Sequence, residues 1–72
     1  MNIKIQFYNY STRIYFETIY QPTNNKLAMV QAASKANELL LNTVELREAT
    51  IIGLRAVSAS PTYPHLIGYD TK

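Results

Sequence analysis

His65 is the only histidine of the 72-residue chain, and there is no cysteine. Nucleophilic catalysis needs a nucleophile, a base and a group that orients the base. Asp70 follows His65 by five residues, with several Ser and Thr nearby, so a Ser/His/Asp set is the first chemistry to weigh. No nucleophile-elbow glycine pattern accompanies it. Pro61 and Pro64 bound the segment, and His65 reads as an exposed tail histidine, neither catalytic nor a metal ligand. A tetrahedral zinc site needs several thiolate or imidazole ligands, and one histidine cannot supply them. Glu45 and Glu48 are the nearest thing to paired carboxylates for acid–base work, with Arg47 between them. They read as a solvated charge cluster at the end of an element. A phosphate-cradling loop needs several glycines, and only Gly53 and Gly68 exist. The expectation is a chain that is not an enzyme and uses no metal and no cofactor.

Tyrosine is the unusual residue. There are six, at positions 8, 10, 15, 20, 63 and 69, and no tryptophan. Tyrosine offers a large contact area for little entropy loss and is enriched at protein interfaces, where arginine joins it in hot spots. The same pairing can stack single-stranded bases and hold phosphates. An ordinary explanation also exists, because tyrosine favours half-exposed strands.

The elements that must carry these side chains follow from periodicity. Ile3 to Tyr20 alternates with period two. Ile3, Ile5 and Phe7 share one face, while Lys4, Gln6 and Tyr8 share the other. Asn9 to Thr12 makes a polar turn, with Asn9 the residue suited to a left-handed backbone. Ile14, Phe16 and Thr18 then lie on one face, with Arg13, Tyr15, Glu17 and Ile19 on the other. The stretch predicts a β-hairpin with an apolar face and a polar–aromatic face. Gln21 to Asn25 stops the strand, and Thr23, Asn24 or Asn25 can cap a helix. Lys26 to Asn42 consists largely of strong helix formers. Met29, Ala33, Ala36 and Leu40 form one stripe, widened by Val30 and Leu41, and Gln31, Lys35, Glu38 and Asn42 form the wet side. Ala28, Ala32 and Leu39 extend the apolar sector sideways. Val44 to Glu48 fits either a strand or one more helical turn. Ala49 to Val57 reads as a strand apolar on both faces, a pattern common in central strands, with a bulge or close approach at Gly53. His65 to Tyr69 has the length for a short edge strand after the prolines.

These elements predict a small two-layer α+β domain, ββαβ with a short final strand as an option, in which one amphipathic helix packs on one face of an antiparallel sheet. The domain spans 1–60, and 61–72 is an extended tail. The expected core is Phe7, Ile14, Phe16, Met29, Ala33, Ala36, Leu40 and Ile52. The N-terminus has no basic stretch followed by an apolar run, and no segment approaches the ~20 apolar residues needed to cross a bilayer. The expectation is a soluble, cytoplasmic protein with no membrane contact. The net charge of +2 is slight and scattered, without the basic stripe of a dedicated DNA-binding domain.

A core this small rarely supplies more than about 3–5 kcal/mol without a disulfide, a metal or a second subunit. The wide apolar arc of the helix therefore predicts a homodimer, with Ala28, Ala32 and Leu39 at its interface. The expected interaction face is Lys4, Gln6, Tyr8, Tyr10, Arg13, Tyr15 and Glu17. Its expected occupant is a protein partner, and single-stranded nucleic acid held by Tyr8, Tyr15, Lys4 and Arg13 is the alternative. In architecture alone, residues 3 to 58 resemble small phage-encoded or mobile-element proteins, several of which inhibit a larger host complex. That resemblance implies a small regulator or inhibitor.

Overall fold

The computed structural model describes residues 2–58 and 65–71. Strand β1 is Asn2–Asn9 and β2 is Ile14–Tyr20. Helix α1 is Ala28–Asn42, β3 is Thr50–Val57 and β4 is Ile67–Asp70. Short 3-10 turns at Asn25–Leu27 and Val44–Leu46 flank the helix. The second of these resolves the first part of the ambiguous Val44–Glu48 stretch as a helical turn, with Arg47 and Glu48 in the turn that follows. The strands form one antiparallel sheet in the order β3-β1-β2-β4, with α1 lying over β1 and β3. This is the expected two-layer α+β plan, and Ile67–Asp70 adds the final edge strand.

The hairpin pairs as its alternation requires. Phe7 stands opposite Phe16, Ile5 opposite Thr18 and Tyr8 opposite Tyr15. The turn is built differently from the expectation. Asn9 remains in the strand, and its side-chain oxygen accepts from the backbone N–H of Ser11 and of Thr12, at 2.9 and 3.0 Å. Its Nδ2 donates to the Arg47 carbonyl at 3.2 Å, tying the hairpin tip to the link before β3. Arg13, not Asn9, takes the left-handed backbone, with φ 60°. At the start of the helical segment, Asn24 caps by accepting from the Lys26 N–H at 2.9 Å.

The core lies between the sheet and α1. Ile3, Ile5, Phe7 and Phe16 point from the sheet, Ala28, Ala32 and Ala36 point from the helix, and Leu46 closes one end. Three expectations are overturned here. Met29 is 46% exposed, so the stripe that faces the sheet is Ala28–Ala32–Ala36, rotated from the Met29–Leu40 line. For the same reason Ala28 and Ala32 cannot form an interface with another molecule, since they are buried against their own sheet. Leu39 packs at the core's margin. The alanines let the helix axis come close to the large sheet side chains, and close packing rewards that more than it rewards a larger helix residue held further off.

The third correction concerns β3, which is an edge strand and not a central one. The central strands are β1 and β2. The register of β3 against β1 shifts after Gln6↔Gly53 to Phe7↔Ile51, leaving Ile52 as the extra residue of a bulge. Ile52 is 48% exposed and does not belong to the core. Gly53 sits beneath the Gln6 side chain, where an added Cβ would collide with Gln6 Oε1.

Candidate functional site

Every β1 residue with an even number in Lys4–Tyr8 points away from α1, and register assigns its neighbours. Lys4 lies between Arg55 and Ile19, and Gln6 between Gly53 and Glu17, with Ile67 beyond Glu17. Tyr8 lies between Thr50 and Tyr15, with Tyr69 beyond Tyr15. Tyr8, Tyr15 and Tyr69 thus form one row across three adjacent strands. No described helix covers this face. The Tyr15 and Tyr69 ring centroids are 5.9 Å apart, and Tyr10 meets Tyr8 edge to face at 4.7 Å.

A hydrogen-bond chain fixes the centre of the row. Gln6 Nε2 donates to the Tyr15 hydroxyl, and that hydroxyl donates to Glu17 Oε1, both at 2.8 Å. Lys4 Nζ stands 3.9 Å from Glu17 Oε2. Tyr8 and Thr71 share a hydroxyl hydrogen bond of 3.2 Å, and the Thr71 hydroxyl donates to the Arg13 carbonyl. The Thr71 N–H donates to the same carbonyl at 3.0 Å, anchoring the end of β4 to the hairpin turn. Glu17 is buried despite its place on the uncovered face. A buried carboxylate needs donors and a nearby cation, and Tyr15 and Lys4 supply them.

Burial, followed by the hydrogen bond to Glu17, raises the Tyr15 phenol above its ordinary value of 10.0. The folded state therefore holds this proton more tightly than the unfolded chain does. The stabilisation is full below the unfolded value and is lost as pH rises through the higher folded value. In an ultraviolet titration the ionisation step that Tyr15→Phe removes should lie above the ordinary phenol value of 10.0. Loss of a step at or below that value in the variant would contradict the hydrogen-bonded geometry.

No family model, no curated protein and no solved structure matches the chain. The assignment of a site therefore rests on geometry. Of the residues expected on the interaction face, Lys4, Gln6, Tyr8, Tyr15 and Glu17 come together on one sheet face. Tyr10 joins them through Tyr8, and Arg13 sits at the turn beside them. Sequence reading missed Arg55, Thr50, Ile67 and Tyr69. Their signal was period-two alternation in β3 and β4, blurred by the bulge in one strand and by the brevity of the other.

The remaining chemistry is sparse. His65 is exposed and lines a cleft of ≈ 470 Å³ with Thr18, Tyr20, Lys35, Leu39 and Thr43. Among the described residues no group of three or more His, Asp or Glu could hold a metal ion. No described helix is long and apolar enough to cross a membrane. Glu45 and Glu48 are both exposed, and Glu48 takes a left-handed backbone, φ 66°, in the turn that the Ala49 N–H closes on the Leu46 carbonyl at 2.9 Å.

Proposed function

We propose that the chain is a non-enzymatic protein-interaction module, a small regulator or inhibitor that presents to a larger protein the sheet face that no described helix covers. The observation that carries this reading is the Tyr8–Tyr15–Tyr69 row across three strands. Aromatic side chains already held in place lose little entropy on binding, and such rigid anchors dominate interface energetics. Here Tyr15 is held by Gln6 and Glu17, and Tyr8 by Thr71. Tyr69, 50% exposed, supplies the open contact area at the rim.

Single-stranded nucleic acid is the weaker reading for an electrostatic reason. Phosphate affinity comes from accumulated cations. On this face Lys4 already faces Glu17, and that carboxylate lies in the row next to the tyrosines, hydrogen-bonded to Tyr15. An anionic backbone laid along the row would run beside that carboxylate.

The test uses the immobilised full chain and a Tyr69→Ala variant in nuclease-treated lysate, with a labelled single-stranded oligonucleotide as a parallel probe. Tyr69 is exposed enough for its removal to leave the fold intact. The expected result is a protein retained by the wild type and lost by at least about tenfold with Tyr69→Ala, as truncation of an interface tyrosine typically costs. Equal retention by both chains, or tight oligonucleotide binding that Tyr69→Ala abolishes, would overturn the reading.

A further inference from the structure

Two exposed features lie side by side at one end of the sheet. The first is the outer edge of β3, which no described strand pairs. It runs for eight residues, contains no proline and carries one charge, Arg55. Edge strands that stay unpaired are usually short, or are blunted by charges, proline or a bulge, and of these devices β3 has the bulge at Ile52 and the single charge. The other edge, β4, follows that rule with four residues ending in Asp70. On β3 the bulged residue is Ile52, half exposed and apolar, where a charge would have protected the edge.

The second feature is a flank of α1. The helix lies over β1 and β3, and Lys35 and Leu39 face a cleft on the β2 side. At 100° per residue, Met29, Ala33 and Leu40 lie on the opposite flank and so point out past β3. Met29 is 46% exposed. The helix's two charged residues, Lys35 and Glu38, pair with each other at 2.9 Å on the far side. The helix itself therefore puts no charge on the flank above the β3 edge, and the nearest charges, Arg47 and Glu48, stand by Leu40 at one end of it.

We infer that this edge pairs with the β3 edge of a second copy of the chain, so that two sheets become one and the two α1 flanks meet. The occupant follows from symmetry. Antiparallel pairing of identical edge strands is generated by a two-fold axis perpendicular to the sheet, which keeps both helices on the same side. A second copy then brings an open strand and an apolar helix flank at matching heights, because they are the same surface. A foreign strand would satisfy the edge and leave Met29 and Ala33 uncovered. Registers that set Arg55 against its own copy are disfavoured by like charge.

Size fixes the strength. An eight-residue strand is ~27 Å long and a fifteen-residue helix ~22 Å, and the two layers lie ~10 Å apart. The contact is on the order of 500 Å² per copy, against about 800 Å² for a standard stable interface. The dimer therefore forms and dissociates with concentration.

Sedimentation equilibrium from about 5 to about 500 μM spans the range expected of such a small interface. The wild-type mass should rise from one chain toward two. Ile52→Lys and Met29→Lys alter half-exposed positions, so the helical and strand signals in circular dichroism should persist. Each should raise the dissociation constant by about tenfold or more, through like charges brought together. Leu41→Lys changes a residue 85% exposed on the outer surface of the helix and should dimerise as the wild type does. Amide exchange gives a reading without mutation: β3 amides should gain protection with concentration, while those of β4 should not. A single-chain mass throughout overturns the inference. So does a dimer that Leu41→Lys abolishes and Ile52→Lys spares, which would mean helix-top contact. Tyr69→Ala touches neither feature, so failure here leaves the tyrosine-face reading standing, and the reverse also holds.

Discussion

Phe7→Ala should leave the chain largely unfolded at room temperature. Phe7 is fully buried, stands opposite Phe16 on one side and Ile51 on the other, and belongs to the cluster facing the helix alanines. Removing its ring takes away contacts to β2, β3 and α1 together. Phe→Ala in a packed core costs about 3–5 kcal/mol, the lost transfer free energy plus the cavity left behind. A core of this size supplies about the same amount in total. Thermal melting followed by circular dichroism measures the effect. A Phe7→Ala chain melting within a few degrees of wild type would show that the core is centred elsewhere. Leu41→Ala, at an exposed position, is the control and should shift stability by no more than about 0.5 kcal/mol.

The parts of this fold that the sequence made legible share one property: their signal is local and strictly periodic. Ile3, Ile5 and Phe7 alternate without interruption, so the inner and outer faces of β1 follow directly, and with them the placement of Lys4, Gln6 and Tyr8. Ile14, Phe16 and Thr18 repeat the pattern in β2. The helix was legible from its composition and from the asparagines before it. Its phase was not. Ranking helix residues by hydrophobicity favours Met29 and Leu40 over alanine, whereas the gap above Ile3, Ile5 and Phe7 selects for smallness. The sheet side chains are the large partners in this seam, so the helix must supply the small ones.

The errors in β3 have a different origin. One inserted residue reverses the side-chain parity of everything beyond it. Ile51, Leu54 and Ala56 pair on the inner side, while Ile52 is displaced by the bulge. Read without the bulge, the strand shows apolar residues on both faces and imitates a central strand. The candidate site suffered from the same non-locality. Tyr69 and Arg55 reach the hairpin's outer face only through strand pairings across 50 or so residues of chain, and such contacts carry almost no local signal. The hairpin half of the face was visible, and the half contributed by β3 and β4 was not.

Ala32→Leu tests the helix phase directly, and it should destabilise the protein although it adds hydrophobic surface. Ala28, Ala32 and Ala36 are spaced four apart and all but inaccessible, with Ala32 and Ala36 at 0% exposure. A leucine at position 32 brings three further carbon atoms into a seam closed by fully buried Ile3, Ile5 and Phe7. The helix must lift or rotate to admit them. Lifting breaks the contacts of Ala28 and Ala36, and rotating carries Leu39 out of its place at the core margin. Overpacking of this kind costs about 1–3 kcal/mol. In a chain of this length each kcal/mol lowers the melting temperature by about 4–8 °C, so a fall of about 10 °C is expected. Leu40→Ala should cost less than a core truncation, because Leu40 is only partly buried. If the helix faced the sheet through Met29 and Leu40, the two results would change places. Ala32→Leu would be neutral or stabilising, and Leu40→Ala would cost about 2–5 kcal/mol. The same pair of melting curves also bears on the dimer, since a helix turned that way would bury Met29 and leave no apolar flank beside β3.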